Sequence, residues 1–403
     1  MMTKYKKPLD GIRILDLATF IAAPFAASIA GEFGAEVIKI EHPDKGDPLR
    51  NFGTPSGETP DTFCWLSEGR NKKSLTLNLK TPEGAAILKR LVAVSDVVCE
   101  NFRPGTLEKW GIGYEDLKAI NPRLVMLRIS GFGQTGPLSE RTGFARIAHA
   151  FGGLAYLTGM PGGPPLTPGS TSLADYVSGV YGALGILLAL RVRDRDQIGQ
   201  CIDLALYEPI FRMLDDLLPA YAANGVIRGR QGLGTSNACP HGHFLTGDGR
   251  WVAIACTSDR MFERLCKAMG RPQLSDPDQL GRGPVRISRH EEVDQIVQDW
   301  LSGMTADEAL TICASQDVPC SLVNSIADIF GDPHFEARSN YVTLKHDALG
   351  AVPVPGVVPH LTETPGEISD LGPELGCSSD EILSELLGLG LDEIASLRAV
   401  GAV

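Results

Sequence analysis

About thirty residues near the N-terminus constrain the fold more than any other stretch. Ile12-Arg13-Ile14-Leu15-Asp16-Leu17 reads as a short buried strand, Ala22 to Phe33 as a helix with Pro24 in its first turn, and Glu36-Val37-Ile38-Lys39-Ile40-Glu41 as a second strand. Strand, helix and strand at this spacing form a βαβ unit. Strands this short and apolar suit a parallel sheet covered on both faces. The turn between them, Ala18 to Pro24, carries no GxGxxG, so a pyrophosphate has no close approach to the backbone there. Glu41, which would hold a ribose in a dinucleotide fold, means little without those glycines, and NAD and FAD are rejected as ligands. The fold class expected is α/β: a Rossmann-like large domain with a parallel sheet, built for some other ligand.

The pattern continues. Leu75–Leu79, Val97–Glu100, Leu124–Ile129 and Gln200–Leu206 read as further strands, with a helix from Pro82 to about Val94 capped by Thr81. Two of these strands open into polar, glycine-containing loops, Asn101-Phe102-Arg103-Pro104-Gly105 and Ser130 to Pro137, at the edge of the sheet where ligands of open α/β folds settle. The densest basic cluster, Arg70-Asn71-Lys72-Lys73, precedes the third strand. Lys4, Lys6 and Lys7 read as a solvated arm.

At 403 residues the chain is too long for one ordinary core. A Gly- and Arg-rich shift at Gly225–Asn237 divides it. Residues 1–224 form the large domain, 225–330 a smaller α+β domain with helices at 259–269, 290–302 and 305–315, and 331–403 a segment returning to the large domain. A net charge of −12 speaks against nucleic acid or an anionic membrane as partner. The longest apolar run, Gly182 to Leu190, is short for a membrane span. Nine scattered cysteines without a CxxC pair suit reduced thiols in a cytoplasmic protein. Cys239, His241 and His243 lack a fourth ligand and any zinc-type spacing, so no metal is assigned. They read as a turn before a strand or as a loop facing substrate.

Gly169 to Leu190 places one acid, Asp175, in an otherwise apolar and small-residue run that reads as a buried helix. A carboxylate there is expensive to bury. It is either a helix cap, following Ser170, Thr171 and Ser172, or a chemically employed group; the stretch by itself leaves both open.

Six blocks in order carry a resemblance: LDLATFIAAPFAASIAGEFGAEVIKIEHPDKGDPLR at 15–50, GRNKKSLTLNLKTPEG at 69–84, ENFRPGTLEKWGIGYEDLKAINPRL at 100–124, SGFGQTGPLSERTG at 130–143, LADYVSGVYGALGILLAL at 173–190 and LTETPGEISDLGPELG at 361–376. Together they resemble the class III (CaiB/BaiF-type) CoA-transferases. The resemblance implies transfer of coenzyme A between carboxylic acids through a covalent aspartyl-CoA thioester, with Asp175 as the nucleophile. It implies CoA contacts from His42, where many relatives carry arginine, and from Arg70, Lys72, Lys73, Asn101, Phe102, Arg103 and Lys109, with Phe102 packing on adenine. It also implies an interlocked homodimer, or pairing with a homologous second subunit, and no tightly bound cofactor beyond the CoA thioester substrate. The expected reaction moves CoA from succinyl-CoA to a small acid of the malate, citramalate, mesaconate or itaconate type.

Two departures narrow this. Ile21 stands where formyl-CoA transferases place a glutamine, and their glycine-run loop is absent, which argues against oxalate. Related α-methylacyl-CoA racemases, the alternative reading, carry a catalytic histidine where this chain has Phe144, which cannot act as a base. His149, farther along an apolar run, reads as a packed histidine.

Overall fold

Alternate residues of the first strand, β1 (Arg13–Asp16), enter different cores, Ile14 on one side and Leu15 on the other. The same division runs through β4 (Val97–Glu100) and β5 (Val125–Ser130): Val97, Cys99, Val125, Leu127 and Ile129 face one layer, Val98 and Met126 the other. A strand with side chains of period two and apolar residues on both faces must be covered twice. In the computed structural model, which describes residues 5–169 and 171–403, β1, β2 (Glu36–Glu41), β3 (Lys72–Thr76), β4, β5 and β6 (Cys201–Ala205) form one six-stranded sheet in the order β3-β2-β1-β4-β5-β6, every pairing parallel. One face is covered by the helices Ala22–Glu32 and Leu173–Asp196. The other is covered by Pro82–Val92 and the C-terminal helices Ser379–Leu387 and Leu391–Ala399.

Close approach of the first two helices depends on small residues. A Cβ on Gly179 would come within 2.8 Å of the Ala22 carbonyl oxygen, and one on Gly182 within 2.9 Å of Leu127. The Gly182–Leu190 run therefore belongs to a 24-residue core helix, long and apolar enough to meet the length requirement of a membrane span, with Ala174, Ser178, Gly179, Ala183, Ile186 and Leu190 buried in the protein. Val180, Leu184, Leu187 and Leu188 on its other side are exposed.

The large unit comprises the described residues up to Leu154, then Thr167–Leu218 and Glu336–Val403; the smaller comprises Ala155–Leu166 and Pro219–Phe335. The sequence places Ala155–Leu166 with the large domain, but Gly152 and Gly153 end the preceding helix and the chain leaves. The smaller unit holds an antiparallel sheet of β7 (His241–Leu245), β8 (Trp251–Ala255) and β9 (Cys320–Leu322). Its helices are Asp259–Ala268, His290–Leu301 and Ala306–Ser315, the last capped reciprocally by Thr305 and Glu308. A hairpin of β10 (Tyr341–His346) and β11 (Gly350–Pro355) in the C-terminal segment has no counterpart in the sequence reading. Of the basic arm, Lys6 meets Asp10 at 3.5 Å and Lys7 meets Glu367 at 2.7 Å, while Lys4 lies outside the described residues.

Candidate active site

Strand order reverses between β1 and β4, and at such a switch point the loops leaving the carboxyl ends of the strands part to leave a crevice. Here the loops after β1, β4, β5 and β6 supply Thr19–Ala22, Asn101–Pro104, Gly131 and Leu206 to one cavity of about 240 Å³. Ile129 and Ser130 at the end of β5, with Arg141, Thr142, Gly143, Phe144 and Asp175, complete its lining.

Asp175 is in the first turn of the Leu173–Asp196 helix and does not cap it. Its carboxylate accepts no hydrogen bond among the described residues, and burial pushes its pKa up to about 6. The N-cap residue Ser172 makes no side-chain bond to the helix, and Ser170 lies outside the described residues. What the helix start receives instead is a histidine: the Ala174 N–H donates to His149 Nε2 at 3.0 Å. His149 is buried, as the apolar run predicts, and is not among the cavity-lining residues. Phe144 lines the cavity and offers no base. A second helix start, that of Ala22–Glu32, also reaches the cavity through Ile21 and Ala22 and has no side-chain cap.

The loop after β1 is held from below. Asn101 Oδ1 accepts the Thr19 N–H at 2.8 Å, and its Nδ2 donates to the Thr19 carbonyl at 2.7 Å. Asp47 Oδ1 accepts the N–H groups of Phe20 (3.0 Å), a residue in the left-handed region at φ 60°, and of Leu49 (2.9 Å). Beneath them lies a buried charge network. Lys39 meets Asp47 at 2.8 Å and Asp16 at 3.7 Å and donates to the Ala18 carbonyl; Lys72 meets Asp16 at 2.9 Å and donates to the Pro24 carbonyl at 2.9 Å. Burial opposes the Lys39 ammonium, but Asp16, Asp47 and Glu41 outweigh it and raise its pKa. Glu41 is consumed by Arg50, which donates to both its oxygens at 2.7 and 2.8 Å.

The basic cluster before the third strand therefore needs correction. The sequence starts that strand at Leu75; the structure starts it at Lys72, and the cluster sits at the amino end of β3, away from the loops that form the cavity. Each cation already has a carboxylate. Arg70 meets Glu32 at 3.3 Å and donates to the Pro355 carbonyl at 2.5 Å. Lys72 meets Asp16, and Lys73 meets Glu381 at 2.6 Å and Glu36 at 3.4 Å. Asn101, Phe102 and Arg103 do line the cavity, Asn101 with its amide committed to Thr19. His42 and Phe102 line a second cavity of about 120 Å³ that shares Thr19 and Phe102 with the first, together with Lys80 and Trp110. Phe102 and Trp110 meet edge to face at 5.4 Å. Lys109 is exposed on the Thr106–Lys109 helix and lines neither cavity. Two cations were missed, Lys80 and Arg141. Lys80 follows the strand's carboxyl end and could have been found by asking which basic residue leaves that edge; Arg141 carries no signal beyond its place in the loop after β5.

Residues 9–379 match the family model described as CoA-transferase family III. The chain is 55% identical to the succinyl-CoA–L-malate CoA-transferase beta subunit of Chloroflexus aurantiacus, over 97% of each chain. It is 51% identical to the alpha subunit from the same organism, over 97% of this chain and 92% of the relative. A crystal structure of a CAIB/BAIF family protein from Brucella suis superposes with a TM-score of 0.83 at 32% identity, covering 95% of this chain and 100% of the other. The family model spans nearly the whole chain, over a parallel sheet with its crevice at the switch point: this protein is an enzyme of CoA-transferase family III.

Proposed function

We propose that the enzyme moves coenzyme A from succinyl-CoA to L-malate, with Asp175 as the covalent carrier. The observation that carries this is the Asp175 carboxylate itself, lining the cavity with no hydrogen-bonding partner among the described residues. At neutral pH it is mostly ionised and poorly solvated, the state in which a carboxylate attacks well. It adds to the thioester carbonyl of succinyl-CoA, and the tetrahedral oxyanion expels CoA thiolate to leave a succinyl–aspartyl anhydride. The thiolate attacks the Asp175 carbonyl of that anhydride, releases succinate and forms the aspartyl-CoA thioester. A malate carboxylate then displaces the thiolate to form a malyl–aspartyl anhydride. Thiolate attack on the malyl carbonyl gives malyl-CoA and returns Asp175. No proton is gained or lost.

The uncapped start of the Ala22–Glu32 helix supports this by offering N–H groups to the oxyanion. Lys80 supplies a cation and His42 an imidazole N–H for the CoA phosphates, and the Phe102–Trp110 pair an aromatic wall for its adenine. Arg103 and Arg141, neither with an ion-pair partner among the described residues, supply charge for the distal carboxylate of a dicarboxylic acid. Relatives at 55% and 51% identity bear the names of beta and alpha subunits, so the chain is about as close to one as to the other. It works as a homodimer in this reading, with the exposed apolar face of the Leu173–Asp196 helix as part of the contact. Nine free cysteines suit a reducing, cytoplasmic setting. Mass spectrometry of enzyme mixed with succinyl-CoA and trapped with hydroxylamine or borohydride tests the scheme. Modification of the Asp175 peptide, lost in Asp175→Ala, is the expected result; exchange without any modification there rejects the covalent route.

A further inference from the structure

Among the described residues a histidine, and no serine or threonine, caps the helix that carries Asp175. Ser172 occupies the N-cap position without a side-chain bond, and the Ala174 N–H, next in chain to Asp175, donates to His149 Nε2 at 3.0 Å. Both groups are buried: Ala174 is 0% and His149 2% exposed. The bond is of ordinary length and joins two packed helices, Ala145–Phe151 and Leu173–Asp196, at the turn that carries Asp175. The next two N–H groups, of Asp175 and Tyr176, both turn back to the Ser172 carbonyl at 2.9 and 3.1 Å. His149 therefore supplies the fixed point from outside the helix.

The chemistry of the ring sharpens this. An imidazole nitrogen that accepts a hydrogen bond carries no proton, so the ring is neutral with its hydrogen on Nδ1. Nδ1 has no hydrogen-bond partner among the described residues. Leaving a buried N–H unsatisfied costs about 1–3 kcal/mol. A side chain needed only to fill the space would be better apolar, since leucine or methionine carries no such penalty. What the histidine offers in return is the acceptor at the start of the Asp175 turn.

We infer that His149 is a positioning residue for the transferase reaction: through the Ala174 N–H it holds the first helical turn so that the Asp175 carboxylate stands in the cavity at attack distance. This rests on the reading of Asp175 as the covalent carrier. His149 touches no substrate and moves no proton.

Two variants separate this role from packing. Glutamine at 149 retains an acceptor at the end of a side chain of similar reach; methionine retains length and volume without a good acceptor. His149→Met is expected to lower kcat and the rate of trapped-adduct formation with succinyl-CoA by about 10- to 100-fold, with KM for succinyl-CoA within about twofold. His149→Gln is expected to restore both rates to within about threefold of wild type. Equal losses in both variants that track their melting temperatures, or a fully active His149→Met, overturn the proposal. Nitrogen-15 NMR of the wild-type histidines needs no variant to fold. A His149 ring in the Nδ1–H form across pH 6–8 is expected, and an Nε2–H form excludes the bond to Ala174. Wild-type enzyme that exchanges CoA without an Asp175 adduct rejects the carrier reading itself, whichever way the NMR result falls.

Discussion

Asn101 turns both ends of its side-chain amide to one residue, Thr19. Its oxygen accepts the Thr19 N–H and its nitrogen donates to the Thr19 carbonyl, at 2.8 and 2.7 Å. Asn101 leaves the end of β4 and Thr19 the end of β1, so the pair closes the two strands between which the sheet order reverses. Both residues line the cavity. An asparagine is needed because only an amide offers a donor and an acceptor side by side.

The first prediction tests that clasp. Asn101→Asp keeps the size but sets a carboxylate against the Thr19 carbonyl, so one hydrogen bond becomes a repulsion. A loss of about 1–3 kcal/mol of stability is expected in urea unfolding. A fall in kcat/KM of about 100-fold should accompany it, because the displaced loop carries Phe20, Ile21 and Ala22 into the cavity. A variant with normal activity would mean that Asp47, through Phe20, holds the loop unaided.

The second concerns pH. Burial raises the pKa of Asp175 to about 6, so kcat/KM for succinyl-CoA should fall on the acid side with an apparent pKa near 6 as the proposed nucleophile is protonated in the free enzyme. The stability effect has the opposite sense. A carboxyl whose folded pKa lies above its unfolded value favours the folded state while protonated, below about pH 4, and loses that contribution as pH rises through 6. Asp175→Asn should therefore match wild type at pH 4 and exceed it by about 1–2 kcal/mol at pH 8. Thermal melts at the two pH values check both the size and the sign.

The third separates two kinds of lysine. Lys72 is buried with Asp16, and removing one partner of a buried pair costs about 3–5 kcal/mol. Lys72→Met should show part of that loss, with Lys39 still 3.7 Å from Asp16 to soften it, and a nearly unchanged KM for succinyl-CoA in the enzyme that folds. Lys80 is exposed at the second cavity. Lys80→Ala should leave the melting temperature in place and raise that KM about tenfold, an effect that shrinks at high salt.

These lysines also mark where the sequence could and could not be read. Alternating apolar strands, the Thr81 and Thr305 caps and the small-residue run around Asp175 are local signals, and they locate the sheet, the helices and one carboxylate that is costly to bury; the nucleophile role of Asp175 is implied by the family resemblance and not by that run. Charge is different, because its meaning depends on partners far away in the chain. Arg70, Lys72 and Lys73 look like a binding patch until Glu32, Asp16, Glu36 and Glu381 are brought to them, the last more than 300 residues later. The start of β3, at Lys72 and not at Leu75, escapes the sequence for the same reason: lysines at a strand start look solvated unless the acids that bury them are known. His149 was legible as a buried histidine but its acceptor role was not, since Ala174 offers only a backbone N–H.

The last prediction concerns the acid that receives CoA. A dicarboxylic acid presents one carboxylate to Asp175 and must place the other somewhere, and a second anion close to the Asp175 carboxylate is unfavourable without a cation. Arg141 lines the cavity, is exposed, and has no ion-pair partner among the described residues, so its guanidinium is available to form a paired bond with that second carboxylate. Arg141→Gln should raise KM for malate and for succinyl-CoA by about 10- to 100-fold, the loss of one charge-assisted bond of about 1.5–3 kcal/mol. KM for acetyl-CoA, which lacks a distal carboxylate, should hardly move. The ratio of the two donors' kcat/KM is therefore the quantity to measure. A uniform loss with both would make Arg141 a contact for CoA itself, and the distal carboxylate would then fall to Arg103.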